Sequence, residues 1–399
     1  MAAAWGVRLA DVDYVPAFPI TPQTEIIEAL SQWFAEGVMK GRFVTMDSEH
    51  SMVTAAGAAS ATGVRVFTAT SSQGLLYAFE VLYTVAGWRV PLVMVNVSRA
   101  LSSPITLEPD HNDILSARDC GFIQIHSETC QEVLDSILMA YRITEDKRVL
   151  LPMLINMDGY YLSFTREPVE IPSREKVKEF LTPYRPTHAF FKASTPMAQG
   201  VAVLGGAIYS YFKYQMHMAS LNALTVHTEV AEEFYHFFGR RYSAIEKYRM
   251  DDAEYILVMS NAFATKGKAA VNGFRKLGYK VGLLRLRLVR PFPAKEVIDV
   301  LKDRRGVAVI DQNISIGSGG IFYNEIAASL CNETKRPVIL SFIGGLGGKD
   351  ISSTEFQKIL EDTVSASNSG MNPGIQLLYT DDEWRQMKHL LEIAGKPIG

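Results

Sequence analysis

Short apolar runs of strand length alternate with segments of helical periodicity along most of the chain, and this alternation constrains the fold more than any other feature. Strands are expected at 42–46, 64–69, 91–97 and 149–156. Between them, 51–62 reads as a helix of very small side chains and 73–87 as a longer amphipathic one. Strands separated by helices make a largely parallel sheet covered on both faces, so the N-terminal half is expected to be α/β and doubly wound.

At 399 residues the chain is long enough for two or three domains, and its punctuation marks where they divide. Prolines and aromatics thicken over 168–196, so the chain is expected to leave the first domain there in extended form. The segment 198–249 is aromatic-rich, holds His217, His227 and His236, and lacks βα alternation. Alternation restarts at 255–259 and continues through strands at 281–286, 306–310 and 337–343, with helices at 264–277 and 294–302. The expected division is a first domain at 1–185, a helical connector at 186–250, and a second, smaller α/β domain at 251–399.

Composition removes several classes of function. A formal net charge of −3 with both signs interspersed gives no basic stripe for nucleic acid and no anchor for an anionic membrane. The longest apolar stretch, 81–97, is too short to span a bilayer and contains Arg89 and Pro91. The first residues lack the basic start and apolar core of a secretory signal, so a cytoplasmic location is expected. Cys120, Cys130 and Cys331 are too few for a four-thiolate cluster, so any iron–sulfur carrier must come from elsewhere.

Four segments combine strand ends with polar chemistry. Phe18-Pro-Ile-Thr-Pro-Gln-Thr-Glu25 is a polar turn in which Thr21 or Thr24 can cap the next helix. Met46-Asp-Ser-Glu-His-Ser51 ends a strand at the carboxyl edge, where open α/β sheets bind ligands, and Glu49 serves there either as a ligand group or as an acidic cap. Thr68 to Leu76 carries Ser71, Ser72, Gln73 and Gly74, as either an ordinary loop or the lining of a cofactor site. Asn96 to Ser102 contains Arg99 at the end of a buried strand, where a guanidinium needs an anionic partner. In Pro109 to Asp113, His111 is either a proton carrier or a surface loop histidine.

Taken in order and spacing, Pro19-Ile-Thr-Pro22, Ser48-Glu-His50, Thr70-Ser-Ser-Gln-Gly-Leu75, Arg99-Ala-Leu-Ser102 and Asp110-His111 resemble the 2-oxoacid:ferredoxin oxidoreductase family, pyruvate type. Similarity continues through Leu150-Leu-Pro-Met153, Asp158-Gly159, Leu288-Val-Arg-Pro-Phe-Pro293 and Gly344-Gly-Leu-Gly-Gly348, and so spans nearly the whole chain. The resemblance implies a first domain that binds the pyrimidine half of thiamine diphosphate, and a second like the C-terminal domain of transketolase. Glu49 then matches the glutamate that bonds the pyrimidine N1′ and promotes removal of the thiazolium C2 proton. Thr21, Arg99 and His111 match substrate-contacting positions, Arg99 by pairing with the 2-oxoacid carboxylate; Ile20, Ser72 and Gln73 match cofactor contacts.

The resemblance also implies partners. Thiamine enzymes hold the diphosphate and Mg²⁺ with a GDG motif, which this chain lacks, and no metal ligand is expected in it. It resembles the α subunit of a split complex, whose β subunit carries GDG. A ferredoxin-like subunit would bring [4Fe-4S] clusters, a γ-type subunit the coenzyme A region, and ferredoxin would accept electrons. Phe18 stands where tyrosine is usual, and the loop 104–111 departs from the common pyruvate-enzyme version. Pyruvate is the expected substrate; phenylglyoxylate, oxalate, 2-oxoglutarate or a branched 2-oxoacid are sister readings. A noncatalytic scaffold role is set against the retention of Glu49, Thr21 and Arg99. The run Gly317-Ser-Gly-Gly320 prompts a nicotinamide-binding reading, but it does not complete a dinucleotide fingerprint.

Overall fold

The computed structural model describes residues 1–186, 191–200 and 202–393. Positions 187–190 and 201 of the expected connector, and 394–399 of the expected last domain, lie outside the described residues.

In chain order the first part runs α1 (Ala2–Leu9), β1 (Tyr14–Ala17), α2 (Thr24–Ala35), β2 (Arg42–Thr45), α3 (Glu49–Ser60), β3 (Val66–Thr70), α4 (Ser72–Tyr77), α5 (Phe79–Trp88), β4 (Leu92–Ser98), α6 (Asn112–Ser116), β5 (Ile123–His126), α7 (Cys130–Thr144), β6 (Met153–Asp158), α8 (Arg174–Phe180) and α9 (Gly206–Phe238). The rest runs β7 (Ile245–Tyr248), β8 (Tyr255–Ser260), α10 (Ala264–Lys276), β9 (Val281–Leu286), β10 (Leu288–Arg290), α11 (Ala294–Leu301), β11 (Gly306–Asp311), α12 (Ile321–Leu330), β12 (Val338–Ile343), α13 (Ser353–Ser369), β13 (Ile375–Leu377) and α14 (Asp381–Ile393).

Two compact units emerge, each around its own sheet. The first comprises Met1–Glu246, Ser260–Ala264 and Arg285–Glu296; the second comprises Lys247–Met259, Thr265–Leu284 and Val297–Gly399. The first sheet has strand order β10-β5-β6-β4-β3-β1-β2, and every pairing in it is parallel except the antiparallel edge pair β10–β5. The second has order β13-β12-β11-β8-β9-β7, with parallel pairing of β8, β11, β12 and β13. Both units are thus α/β with parallel-dominated sheets, as the alternation of the sequence requires. Strands β3, β4, β5 and β6 are buried along their whole length, which explains why β3, β4 and β6 read as largely apolar runs, whereas β5, with Gln124 and His126, was not expected.

Small side chains in α3 have a packing reason. A Cβ on Gly57 would lie 2.5 Å from Val85 and 3.2 Å from Trp88, so α3 and α5 approach more closely than larger residues permit. The single helix expected at 73–87 is two, broken at Ala78, whose backbone (φ −87°, ψ 3°) leaves the helical region.

Two segments differ from the sequence expectation in their attachment. The connector does not stand apart: Ala219, Ala223, Val226, Val230 and Phe234 of α9 are buried in the first unit's core, and Phe234 meets Phe180 of α8 edge to face. Residues 285–296, expected within the second domain, belong to the first unit because β10 completes its sheet. There Arg287 is fully buried, with Nε donating to Glu132 Oε1 (2.5 Å) and Nη2 to Ser136 Oγ (2.9 Å), so removing one partner would leave a buried charge uncompensated.

Among the described residues no helix is long and apolar enough to cross a membrane, and no group of three His, Cys, Asp or Glu side chains is placed to hold a metal ion.

Candidate functional site

Strands β1, β2, β3, β4 and β6 run parallel, so the loops that follow them leave one carboxyl edge of the first sheet, where such folds gather ligand groups. Ile20 and Thr21 follow β1, Glu49 opens α3 after β2, Ser72 and Gln73 open α4 after β3, and Arg99 follows β4.

Arg99 is the centre of one cluster. Its Nη1 donates to the Thr21 carbonyl (2.7 Å) and its Nη2 to Gln73 Oε1 (2.5 Å), while Nε is buried without a partner. Burial pulls the Arg99 pKa down from its usual value, but a guanidinium stays cationic at any physiological pH. Gln73 is fixed in turn, its Nε2 donating to Ser102 Oγ (2.9 Å) and its Oε1 lying 2.7 Å from Ser72 Oγ. Thr21 takes part through its carbonyl; its side chain is exposed, and Ile20 beside it is half-buried.

Glu49 stands next to this cluster. Ser48 caps α3 by accepting from Ser51 N (3.2 Å), which leaves the Glu49 side chain free of capping duty. It is 6% exposed, and among the described residues its carboxylate accepts no hydrogen bond. A Cβ on Gly74 would lie 2.5 Å from Glu49 Oε1 and 2.6 Å from Thr70 Oγ1, so only glycine lets α4 pass this close to the carboxylate. Thr70 Oγ1 and Ser71 Oγ are buried nearby without partners. An unpaired carboxylate with unpaired hydroxyls beside it suits a flat heterocycle that presents both donors and acceptors, as an aminopyrimidine does.

His111 is buried, not on the surface, because Asp158 at the end of β6 holds it: Nε2 lies 2.9 Å from Asp158 Oδ1. Asn261 Nδ2 and Ala262 N also donate to Asp158, at 2.9 and 3.0 Å. Burial disfavours the imidazolium, yet the Asp158 charge outweighs it and raises the His111 pKa. Neighbouring His126 goes the other way, well below its usual value, through burial and the charges of His111 and Arg285. Burial pushes Asp110 up to about 6.

The sequence reading gave no role to Asp113, Asp158, Asn96, Asn156 or Asn261. All are fully buried and polar, and the available signal was Asn96, Asn156 and Asp158 inside otherwise apolar strands. In the second unit, the glycine run at 317–320 leads into α12, whose Phe322 and Tyr323 N–H groups donate to Asp311 (2.8 and 3.1 Å). A carboxylate therefore holds the helix end that a dinucleotide phosphate would need.

The class defined by this fold is that of proteins built from two parallel-dominated α/β units. Two solved structures share it: a 2-oxoglutarate:ferredoxin oxidoreductase from Magnetococcus marinus with 2-oxoglutarate, coenzyme A and succinyl-CoA bound (TM-score 0.67, 16% identity, 91% of this chain and 64% of that one), and a split-gene transketolase (TM-score 0.54, 10% identity, 91% and 97%). This chain thus spans just under two thirds of the length of the former.

Sequence comparison narrows the class. Residues 5–232 match the thiamine diphosphate-binding family of pyruvate flavodoxin/ferredoxin oxidoreductases, and residues 253–356 match pyruvate:ferredoxin oxidoreductase core domain II. Pyruvate synthase subunit PorA of Pyrococcus abyssi is 43% identical over 92% of this chain and 93% of its own length. Ketoisovalerate oxidoreductase subunit VorA of the same organism is 39% identical over 97% and 96%. The chain belongs to the 2-oxoacid:ferredoxin oxidoreductase family and is an enzyme subunit of that family.

Proposed function

We propose that this chain is the α subunit of a complex that converts a 2-oxoacid, coenzyme A and two oxidised ferredoxins to acyl-CoA, CO2, two reduced ferredoxins and a proton, with pyruvate the first substrate to test. The observation that carries this reading is the junction of Gln73 and Gly74: Gln73 meets the Arg99 guanidinium and Gly74 meets the Glu49 carboxylate, so a carboxylate receptor and an unpaired carboxylate are one residue apart.

Glu49, with Thr70, Ser71 and the Gly74 surface, would hold the aminopyrimidine of thiamine diphosphate; Ile20, Ser72 and Gln73 complete that wall. When bound, the cofactor supplies a nucleophilic carbon that attacks the 2-oxo group and accepts the electrons of decarboxylation. Glu49 contributes by holding a proton at the pyrimidine N1′. Arg99 receives the substrate carboxylate, a charged acceptor that exchanges favourably for the neutral Gln73 amide now on Nη2. Thr21 keeps the guanidinium aimed, and His111 can meet substrate through Nδ1, which has no protein partner among the described residues.

The chain carries half of a thiamine site, so activity requires partners: a β subunit with GDG that supplies the diphosphate and Mg²⁺ ligands, and ferredoxin-like and γ-type subunits that bring [4Fe-4S] clusters and the coenzyme A region. PorA and VorA relatives, named as subunits, support this. A branched substrate such as 2-oxoisovalerate is the second reading, favoured by the VorA relative's longer match.

The test is Glu49→Gln in the assembled complex. Losing a positioned acid–base group should slow C2-proton exchange and turnover by about 100-fold or more, with subunit association intact. Unchanged exchange would reduce Glu49 to a helix-cap neighbour and remove the reading.

A further inference from the structure

Asp113 is fully buried in the first turn of α6 and forms no ion pair among the described residues. Its two oxygens instead accept five hydrogen bonds. Oδ2 accepts from Ser72 N (3.1 Å), Asn96 Nδ2 (3.0 Å) and Arg99 N (3.2 Å); Oδ1 accepts from Ser98 Oγ (2.8 Å) and Ile114 N (2.7 Å). One carboxylate oxygen thus ties together the turn after β3, the body of β4 and the backbone of Arg99. Ser72 has φ +48°, a left-handed conformation that a non-glycine residue keeps only where neighbours impose it.

A buried carboxylate without a cation is costly, so its donor set should serve a purpose. Two of its three Oδ2 partners are the main-chain N–H groups of Arg99 itself and of Ser72, the residue before Gln73, and the Arg99 and Gln73 side chains meet each other at 2.5 Å.

We propose that Asp113 is a positioning residue for 2-oxoacid binding: it holds the Arg99 backbone and the Ser72–Gln73 turn in one register, and so aims the guanidinium at the substrate carboxylate. This rests on the reading of Arg99 as the carboxylate receptor.

The test uses the assembled complex, with pyruvate and 2-oxoisovalerate as probes, and pairs Asp113→Ala with Arg99→Ala and their double variant. Asp113→Ala should raise KM at least tenfold while kcat falls less. Asp113→Asn, whose carbonyl can keep the three Oδ2 contacts and whose amide can donate to the rotatable Ser98 hydroxyl but loses the Ile114 N–H bond, should recover part of that loss. Because Asp113 acts through Arg99, adding its removal to Arg99→Ala should change KM by less than twofold. If Asp113→Ala prevents assembly, Asp113→Ser, which keeps one acceptor, should give an intermediate KM. Asp135→Ala is the structural control: Asp135 is buried and paired with Arg240 and Tyr242 away from this cluster, and its loss should lower Tm with KM unmoved. The proposal is overturned if Asp113→Ala behaves like that control, or if its effect adds fully to that of Arg99→Ala. An unchanged KM in Arg99→Ala itself would instead refute the Arg99 reading, and this inference with it.

Discussion

Gly74→Ala isolates the Glu49 carboxylate without touching it. Gly74 lies inside α4 with an ordinary helical φ, and alanine in a helix interior is favoured over glycine by about 1 kcal/mol. Here the added methyl would lie 2.5 Å from Glu49 Oε1 and 2.6 Å from Thr70 Oγ1, where ordinary contacts begin at 3.4 Å. The flexible end of Glu49 can yield, so the propensity gain and the displacement nearly cancel in the fold, and Tm should move by only a few degrees. Catalysis has no such latitude: a carboxylate that retreats by roughly 1 Å loses on the order of 100-fold in rate, about 2.7 kcal/mol of barrier. The assay is steady-state turnover of the assembled complex together with C2-proton exchange of bound thiamine diphosphate. Full turnover and exchange at unchanged cofactor affinity would refute the placement, showing that the Glu49 carboxylate does not work from the position next to Gly74.

Two further outcomes are expected. Asp110, raised from 3.8 to about 6 by burial, holds a proton in the folded state that the unfolded chain has released, so stability should fall by about 3 kcal/mol as pH rises through that window and stay level above it. Asp110→Asn should therefore stabilise the chain at pH 7.5 and not at pH 3.5, read by denaturant unfolding; equal effects at both would contradict the burial argument. Gln73→Glu would replace the neutral acceptor on Arg99 Nη2 with a charged one that no substrate carboxylate displaces easily, raising KM by tenfold or more while leaving folding intact. A KM within twofold of the parent would show that Gln73 does not occupy the substrate's place.

Sequence pattern and structure agree best where local physics is strong. Buried parallel strands such as β4 and β6 declare themselves by predominantly apolar runs, and α3 by side chains too small for anything but close packing. Helix α7 escaped notice despite being buried over most of its length, because Glu132, Asp135 and Ser136 interrupt its apolar pattern. Their partners, Arg285, Arg287, Arg240 and Tyr242, arrive from 105 or more residues away and cannot be inferred from the helix itself. The same distance hid β10, an edge strand of the first sheet contributed from position 288 onward. At the site, Glu49, Arg99, Ser72 and Gln73 were legible as polar residues at strand ends. Asp113 was not, because what distinguishes it is the donor set around it, and that set exists only after folding.

Glu49 and Arg99 carry opposite charges on adjoining loops, both nearly buried, yet among the described residues no ion pair joins them. A direct pair would satisfy both and leave neither able to recognise a ligand, since displacing a desolvated partner costs several kcal/mol. Gln73 and Gly74 stand at the two groups instead. The amide gives Arg99 a neutral acceptor that a carboxylate can outcompete, and the bare glycine surface borders Glu49 without donating to it from a side chain. Asp113 accepts five hydrogen bonds, among them those of the Ser72 and Arg99 backbone N–H groups, and so ties the turn after β3 to the end of β4. On the proposed reading, the stability cost of burying that cation-free aspartate is what fixes the Arg99 backbone and the Ser72 turn, so that the guanidinium meets a neutral amide and not the Glu49 carboxylate.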